Sequence, residues 1–377
     1  MDNYLRDVLY LNEDPFKIGV PEHPEIWAGS EDIKRDLERM IGNMLVSESS
    51  TLNVIWGILG TGKTYSSKYF YNKGIRNVLE ELQKGRILDE FDFFCFPPFT
   101  TTIGGMRDIQ FFDMLLNEIG LNLRRSDRAK EIFEKALSGD DSLVNSFIET
   151  SILSYQFKSV IESGINPDEL FQKISESFLP SDPPLSLTRI PYILETFIFI
   201  LKILSHPEYG FKRIFIWIDE VEKFEQMPRV EWQTNNNFLR DYVDKILEKV
   251  HVMLLITTAR RDVAELRQFL DDPVRRRLTY VFELTSILEE NQAIQYVEQL
   301  LYYYRSDNAP GVLSSTFPFE RDCVRKLITE SGTYQAIPPR GINIVFQKAL
   351  ASLRREAYQI NPDEPITFEQ LKEIMVT

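Results

Sequence analysis

The segment Asn53-Val-Ile-Trp-Gly-Ile-Leu-Gly-Thr-Gly-Lys-Thr64 holds the residue types, at the right spacing, to bind phosphate. Gly57 to Thr64 fits the pattern G-x-x-x-x-G-K-[ST]. Gly57, Gly60 and Gly62 let the backbone curl without side chains, so that successive N–H groups face an anion. The cradle is expected to run through Thr61 and end at Tyr65, where a helix N-terminus adds positive potential. Lys63 is placed to reach the β- and γ-phosphates of a nucleoside triphosphate, and the Thr64 hydroxyl to ligate Mg²⁺.

A second constellation closes Arg213-Ile-Phe-Ile-Trp-Ile-Asp-Glu220, an apolar run ending in two carboxylates. By itself such a pair reads as a strand end with a solvated turn. Downstream of a phosphate loop it reads as a metal-binding Asp219 and a Glu220 that takes a proton from the attacking water or orients it. His251-Val-Met-Leu-Leu-Ile-Thr-Thr-Ala-Arg260 is a further apolar run. Thr257 or Thr258 at its end either touches the γ-phosphate or the lytic water, or caps the following turn.

The elements that must position these groups follow from periodicity. Leu52–Trp56, Phe91–Phe96 (stopped by Pro97-Pro98), Arg213–Ile218, the run from His251 and Leu278–Leu284 read as strands, buried where the apolar run is unbroken. A capping signal at Ser30-Glu-Asp-Ile precedes a periodic helix through Ile33, Leu37, Met40, Ile41 and Met44. Ile26 and Trp27 just before it either wall a nucleotide base or form a hydrophobic staple for that helix. Helices are expected from Tyr65 to about Gln83, with Gly85 as the stop, and at 109–119, 129–137 and 190–204. After a boundary near Ser286 the chain is almost entirely helical: Leu288–Tyr304, Asp322–Ile328, Ile342–Leu353 and Phe368–Met375. The predicted architecture is α/β: a P-loop three-layer αβα sandwich with a parallel sheet, then an all-α lid. Residues 1–50 form the N-terminal segment and base-facing helix, 51–285 the core and 286–377 the lid.

Composition narrows the classes. Of 377 residues, 43% are hydrophobic and 27% charged, which is globular and not disordered. The formal charge of −14 (43 basic against 57 acidic residues) argues against a general DNA-coating surface. Cys95 and Cys323 are too few and too distant for a disulfide framework, and His23, His206 and His251 form no H-x-x-x-H pair, so no protein-built transition-metal site is expected. The N-terminus lacks the pattern of a signal peptide, and Ile193–Leu204 is too short and too charged to span a bilayer. A cytoplasmic protein with reduced thiols and no membrane association is expected. No H-R-D-x-x-x-x-N loop points to a protein kinase, and no N-K-x-D-like segment to a GTPase.

The order of parts resembles the AAA+ ATPases, in the branch that holds origin-recognition initiators, transposition-regulator ATPases and STAND-like ATPases. Gly57–Thr64 carries the resemblance first, with a Walker B-like Ile214–Glu220 and a sensor-1-like Thr257/Thr258. The arginine-rich Asp272-Pro-Val-Arg-Arg-Arg-Leu278, a sensor-2-like Ile337-Pro-Pro-Arg-Gly-Ile-Asn343 and the base-side Ile26-Trp-Ala-Gly29 complete it. The resemblance implies ATP and Mg²⁺ as cofactors and hydrolysis that drives assembly or conformational change on a protein or DNA-bound partner. It implies homo- or hetero-assembly through the nucleotide sites, with Arg275, Arg276 or Arg277 completing a neighbour's site. Each of these arginines reads equally as part of a solvated basic turn. Arg340 is implied to contact the γ-phosphate in cis and close the lid; its place at a helix opening suits an anion-facing side chain.

Two departures stand out. Residues of about 125–186 look like a helical insertion, and the chain ends where those initiators continue into a DNA-binding winged helix. Arg124, Arg125, Arg128 and Lys130, with Arg260 and Arg261, are candidate phosphate contacts, or solvated helix faces. A slow nucleotide-gated switch that recruits a partner, and a DNA-associated ATPase of replication, transposition or mobile-element defence, are the alternatives to a working ATPase.

Overall fold

The computed structural model describes residues 3–85, 92–100, 109–138, 141–151, 158–159, 162, 164, 166–175, 190–226, 229–245, 250–285, 289–331 and 338–376. Phe91, Gly139-Asp140, Ser181-Asp-Pro-Pro184, the boundary near Ser286 and Ile337 lie outside them.

Five ladders, all parallel, build a six-stranded sheet. Its strands are β1 (Thr51–Gly57), β2 (Phe93–Cys95), β3 (Phe99–Thr100), β4 (Arg213–Asp219), β5 (Val250–Thr257) and β6 (Leu278–Glu283). The order is β2-β4-β5-β1-β6, with β3 also on β4. Of the strand expected over Phe91–Phe96 and stopped by Pro97-Pro98, Phe93–Cys95 forms the ladder, and beyond the prolines a second short strand, β3, also pairs with β4. Proline has no N–H for the ladder, so it splits an edge strand without breaking the sheet.

Every residue of β1 and β4 is buried, as continuous apolar runs covered on both faces must be. Alternation sorts them. Leu52, Val54 and Trp56 with Ile214, Ile216 and Ile218 face the layer containing the helix Ile190–Leu204. Ile55, Phe215, Trp217, Met253 and Leu255 face the helix Glu31–Val46 and the helix behind the phosphate loop. Each side chain so buried contributes about 1.5–3 kcal/mol. The helices Asp127–Ala136, Ser142–Thr150 and Pro167–Ser175, within the expected insertion, join the first layer's core through Ile132, Phe133, Ile148 and Phe171. A helix at Arg229–Lys245, absent from the sequence reading, bridges β4 and β5.

The helix expected as one piece after the loop is three: Lys63–Tyr69, a π turn at Phe70–Gly74 and Ile75–Lys84. A Cβ at Gly74 would lie 2.5 Å from the Phe70 ring, so the missing side chain makes room for it. Phe70 in turn stacks on Trp217 of β4 at 6.3 Å. Ser30 precedes the helix Glu31–Val46 as read, yet it sits at φ 45° and its side chain makes no capping bond. That correction follows from its neighbours: Gly29 and Ser30 both take left-handed conformations where the chain turns at the cavity described below.

The lid holds the helices Glu290–Tyr303, Arg321–Ser331, Pro339–Arg355 and Phe368–Val376 around their own core. Leu5, Leu9, Leu11 and Phe16 belong to that core as well, so the start of the chain packs with its end. Among the described residues no helix is long and apolar enough to cross a membrane.

Candidate functional site

At the carboxyl ends of β1, β4 and β5 the sheet opens into a cavity of about 330 Å³. Gly60 (φ 85°) and Gly62 (φ 99°) adopt the left-handed backbone that the loop pattern requires. Gly57 is held closely: a Cβ there would lie 2.4 Å from the Leu284 carbonyl, just beyond β6. Thr61 anchors the curl by donating from Oγ1 to the Ile58 carbonyl.

Lys63 is 5% exposed, and its Nζ donates to the carbonyls of Gly57 and Ile58, each at 2.9 Å. Burial pushes this ammonium down to about 8, against the opposing pull of the Glu222 and Asp219 carboxylates. Thr64 Oγ1 donates to Asp219 Oδ2 at 2.6 Å, so the residues expected to hold a metal touch although 155 positions separate them. Burial raises the Asp219 pKa, while the Thr64 hydroxyl and the Glu220 N–H (2.8 Å to Oδ1) oppose the shift. A buried carboxylate beside a hydroxyl oxygen is a donor set that suits a hard divalent cation such as Mg²⁺.

Glu220 lines the cavity with φ 59°, a left-handed conformation that is uncommon for a non-glycine residue and clusters at functional sites. Its Oε2 forms an ion pair with Lys223. Thr257 lies in the cavity wall, opposite Gly57 in the β1–β5 register. Thr258 is buried beside it but outside the lining, and its hydroxyl donates to the Arg260 carbonyl. The Thr258 hydroxyl is thus engaged within the turn that follows β5.

Arg340 comes from the lid. Pro339 opens its helix, and the Arg340 Cβ would lie 3.2 Å from a Cβ on Gly60, so the lid rests on the phosphate loop. One turn on, Asn343 accepts from the Tyr296 hydroxyl and donates to the Lys17 carbonyl, each at 2.9 Å. The 17–21 segment, Trp27, Tyr65, Tyr296 and Tyr304 complete that side of the cavity. Trp27 meets Tyr69 edge-on at 5.5 Å. Ile26 is not in the lining: its side chain packs on the lid core, and its carbonyl accepts from the Tyr65 hydroxyl.

The arginine run lies outside the cavity lining. Arg275 pairs with Asp272, and Arg277 forms two bonds to Asp244 at 2.7 and 2.9 Å. Arg276 is exposed and, among the described residues, makes no ion pair. Of the other basic candidates, Arg128 engages Asp92 and Glu131 and Lys130 engages Asp168, whereas Arg124, Arg125, Arg260 and Arg261 are exposed. Among the described residues no cluster of three His, Cys, Asp or Glu side chains could hold a metal by itself. Glu222 and Tyr296 belong to no local motif, and Asn343 only closes one; they join the cavity where separate segments meet.

No protein-family model matches the chain, and no curated protein matches it significantly. Solved structures do. The Aeropyrum pernix ORC2 protein, in ADPNP–ADP complexes, is similar over 97% of this chain and 71% of its own, at 13% identity and a TM-score of 0.51. The fold is that of the AAA+ P-loop ATPases. Cdc6p of Pyrobaculum aerophilum is similar at 13% identity over 92% of this chain and 68% of its own, with a TM-score of 0.48. A Walker-type ATPase of Pyrococcus abyssi is similar at 12% identity over 96% and 75%, with a TM-score of 0.43.

Proposed function

We propose that this chain, with its AAA+-like fold, is a Mg²⁺-dependent ATPase whose hydrolysis drives assembly or conformational change on a partner. The observation that carries this reading is the contact of Thr64 with Asp219 beside buried Lys63, beneath a glycine loop on which Arg340 rests. The loop N–H groups and Lys63 bind the β- and γ-phosphates, Thr64 and Asp219 hold Mg²⁺, and Glu220 orients water for in-line attack. Mg²⁺, when bound, offsets charge on the phosphate oxygens. Trp27, with Tyr296 and Tyr304, walls the base, while Thr257 and Arg340 attend the γ-phosphate. Ile26 supports that wall through its carbonyl bond to Tyr65.

Arg276, being exposed and without an ion pair among the described residues, is the arginine of the run best placed to serve a neighbouring copy. Assembly through nucleotide sites is therefore part of the proposal. One observation favours the slower switch: the Glu220–Lys223 ion pair occupies the carboxylate that would orient water.

Steady-state hydrolysis of wild type, Lys63→Ala and Glu220→Gln separates these readings. We expect Lys63→Ala to lose ATP binding. Glu220→Gln should keep binding and lose about 10²-fold or more in turnover, within the range for positioned acid–base groups. Equal turnover in all three eliminates the ATPase. Tight ATP retention with wild-type turnover far below about 1 s⁻¹ establishes the switch.

A further inference from the structure

The turn after β4 sorts its side chains three ways. Val221 and Phe224, three residues apart, are buried in the sheet's core. Glu220 and Lys223, also three apart, form the ion pair. A 3-10 turn at Val221–Gln226 has three residues per turn, which produces both pairings and leaves Glu222 on its own side. There Glu222 lines the nucleotide cavity, and its Oε2 accepts the Thr257 backbone N–H at 2.9 Å.

That bond replaces a missing ladder partner. Pairing of β4 with β5 ends at Ile218 and Leu254, so β5 runs on past its neighbour to Thr257. On the other flank, Thr257 stands opposite Gly57, and the Thr258 N–H donates to the Gly57 carbonyl at 3.1 Å. The last residue of β5 is thus pinned on one flank by the phosphate-loop strand and on the other by a carboxylate from the acidic turn. The same carboxylate acts electrostatically on Lys63, ahead of Asp219.

We propose that Glu222 is a positioning residue for hydrolysis: it ties the acidic turn to the end of β5 and so holds Thr257 in the cavity with Lys63 and Asp219. The idea rests on the ATPase reading, because Thr257 must act on the reacting phosphate for its placement to matter. Glu220 and Glu222 then divide the work. In this reading the first orients the attacking water once released from Lys223, and the second fixes the strand end that borders the same phosphate.

The test measures kcat, KM and ATP affinity for wild type, Glu222→Ala, Glu222→Gln, Thr257→Val and the double variant Glu222→Ala/Thr257→Val, with thermal melting as a check on folding. Loss of one anchoring hydrogen bond should lower kcat in Glu222→Ala by about tenfold and leave ATP affinity within about threefold. Glu222→Gln retains an acceptor for the N–H and should recover most of that loss. The double variant should be no slower than the slower single one, as two residues acting through one element require. Glu222→Met, which fills the space without an acceptor, replaces the alanine variant if that one does not fold. Unchanged kcat, additive losses, or no recovery by Gln would each overturn the positioning role while wild-type turnover stands. Absence of turnover in wild type would overturn the ATPase reading first, and this inference with it.

Discussion

At the carboxyl ends of β1, β4 and β5, polar side chains open onto a cavity; at the amino ends of the same strands they close on one another. Thr51, Asn53, Arg213 and His251 are each 5% exposed or less. Asn53 donates to Thr51 Oγ1 at 2.8 Å, and Thr51 meets His251 Nδ1 at 2.9 Å, in register across β1 and β5. Arg213 reaches back to the Lys212 carbonyl and out to Glu48. The two ends have similar chemistry and similar burial. What differs is what the groups face. Lys63, Asp219 and Glu222 share an open space of about 330 Å³, while Thr51, Asn53 and His251 bond to one another and to the Val252 carbonyl, and Arg213 reaches Glu48. Buried polar groups that face a cavity can exchange their partners for a ligand, whereas those closed on themselves hold the strands in register.

The sharpest way to break this comparison is to neutralise one group at the open end. Asp219→Asn keeps the shape and removes the charge that would hold Mg²⁺. Several kcal/mol of charge stabilisation go with it, so turnover should fall roughly 10²-fold or more. Stability should move the other way. Burial already raises the Asp219 pKa, which means that the ionised carboxylate is held at a cost in the fold. Removing it should leave the midpoint of urea unfolding unchanged or higher, the usual exchange of stability for function at a site. A variant that loses turnover and unfolds more easily would place Asp219 with the structural end of the sheet.

How much of this was legible before folding depends on how local each feature is. Gly57–Thr64 and Ile214–Glu220 are each a continuous run in which strand, turn and chemistry sit within a few residues, so the pattern alone locates them. The same holds for the parallel strands, whose apolar runs match β1, β4 and β5. Glu222 was not legible, because in Val-Glu-Lys it has the look of a solvated charge; only the end of the β4–β5 ladder gives it a task. The π turn at Phe70–Gly74 escaped for a related reason. It answers to a ring on β4, 147 positions downstream by the numbering of Phe70 and Trp217. The packing of Leu5, Leu9, Leu11 and Phe16 into the lid core is a contact between distant parts of the chain that no local period encodes. The arginine run was open between two readings, and the structure divides it: Arg275 and Arg277 are paired within the chain and Arg276 is exposed.

At the closed end the expected effect is smaller and of the opposite kind. Arg213 is 4% exposed, but its partner Glu48 is largely in water. Arg213→Ala therefore strands no buried charge; it forfeits the packing of the guanidinium stem and its bond to the Lys212 carbonyl. A loss of about 2 kcal/mol in urea unfolding follows, with kcat and ATP affinity unchanged in the folded fraction. A fall in kcat without a fall in stability would show that the two ends are coupled through β4.

The mildest test titrates the closed end without disturbing the open one. His251 is fully enclosed, and burial, with Arg213 nearby, pushes its pKa down to about 3. In the unfolded chain the imidazole titrates near the usual value of about 6.5. Below that pH the unfolded state takes up a proton that the folded state refuses, so stability contributed by neutral His251 is complete at neutral pH and drains away as acid is added, until about pH 3. The slope is at most about 1.4 kcal/mol per pH unit, which gives roughly 2 kcal/mol between pH 7 and pH 5. Urea unfolding of wild type and His251→Gln at these two pH values isolates the contribution, since carboxylates common to both proteins cancel in the difference. Wild type should lose about 2 kcal/mol more than the variant. Equal losses would mean that the imidazole takes up protons in the fold as readily as outside it, and the amino end of the sheet would then be as open to solvent exchange as the carboxyl end.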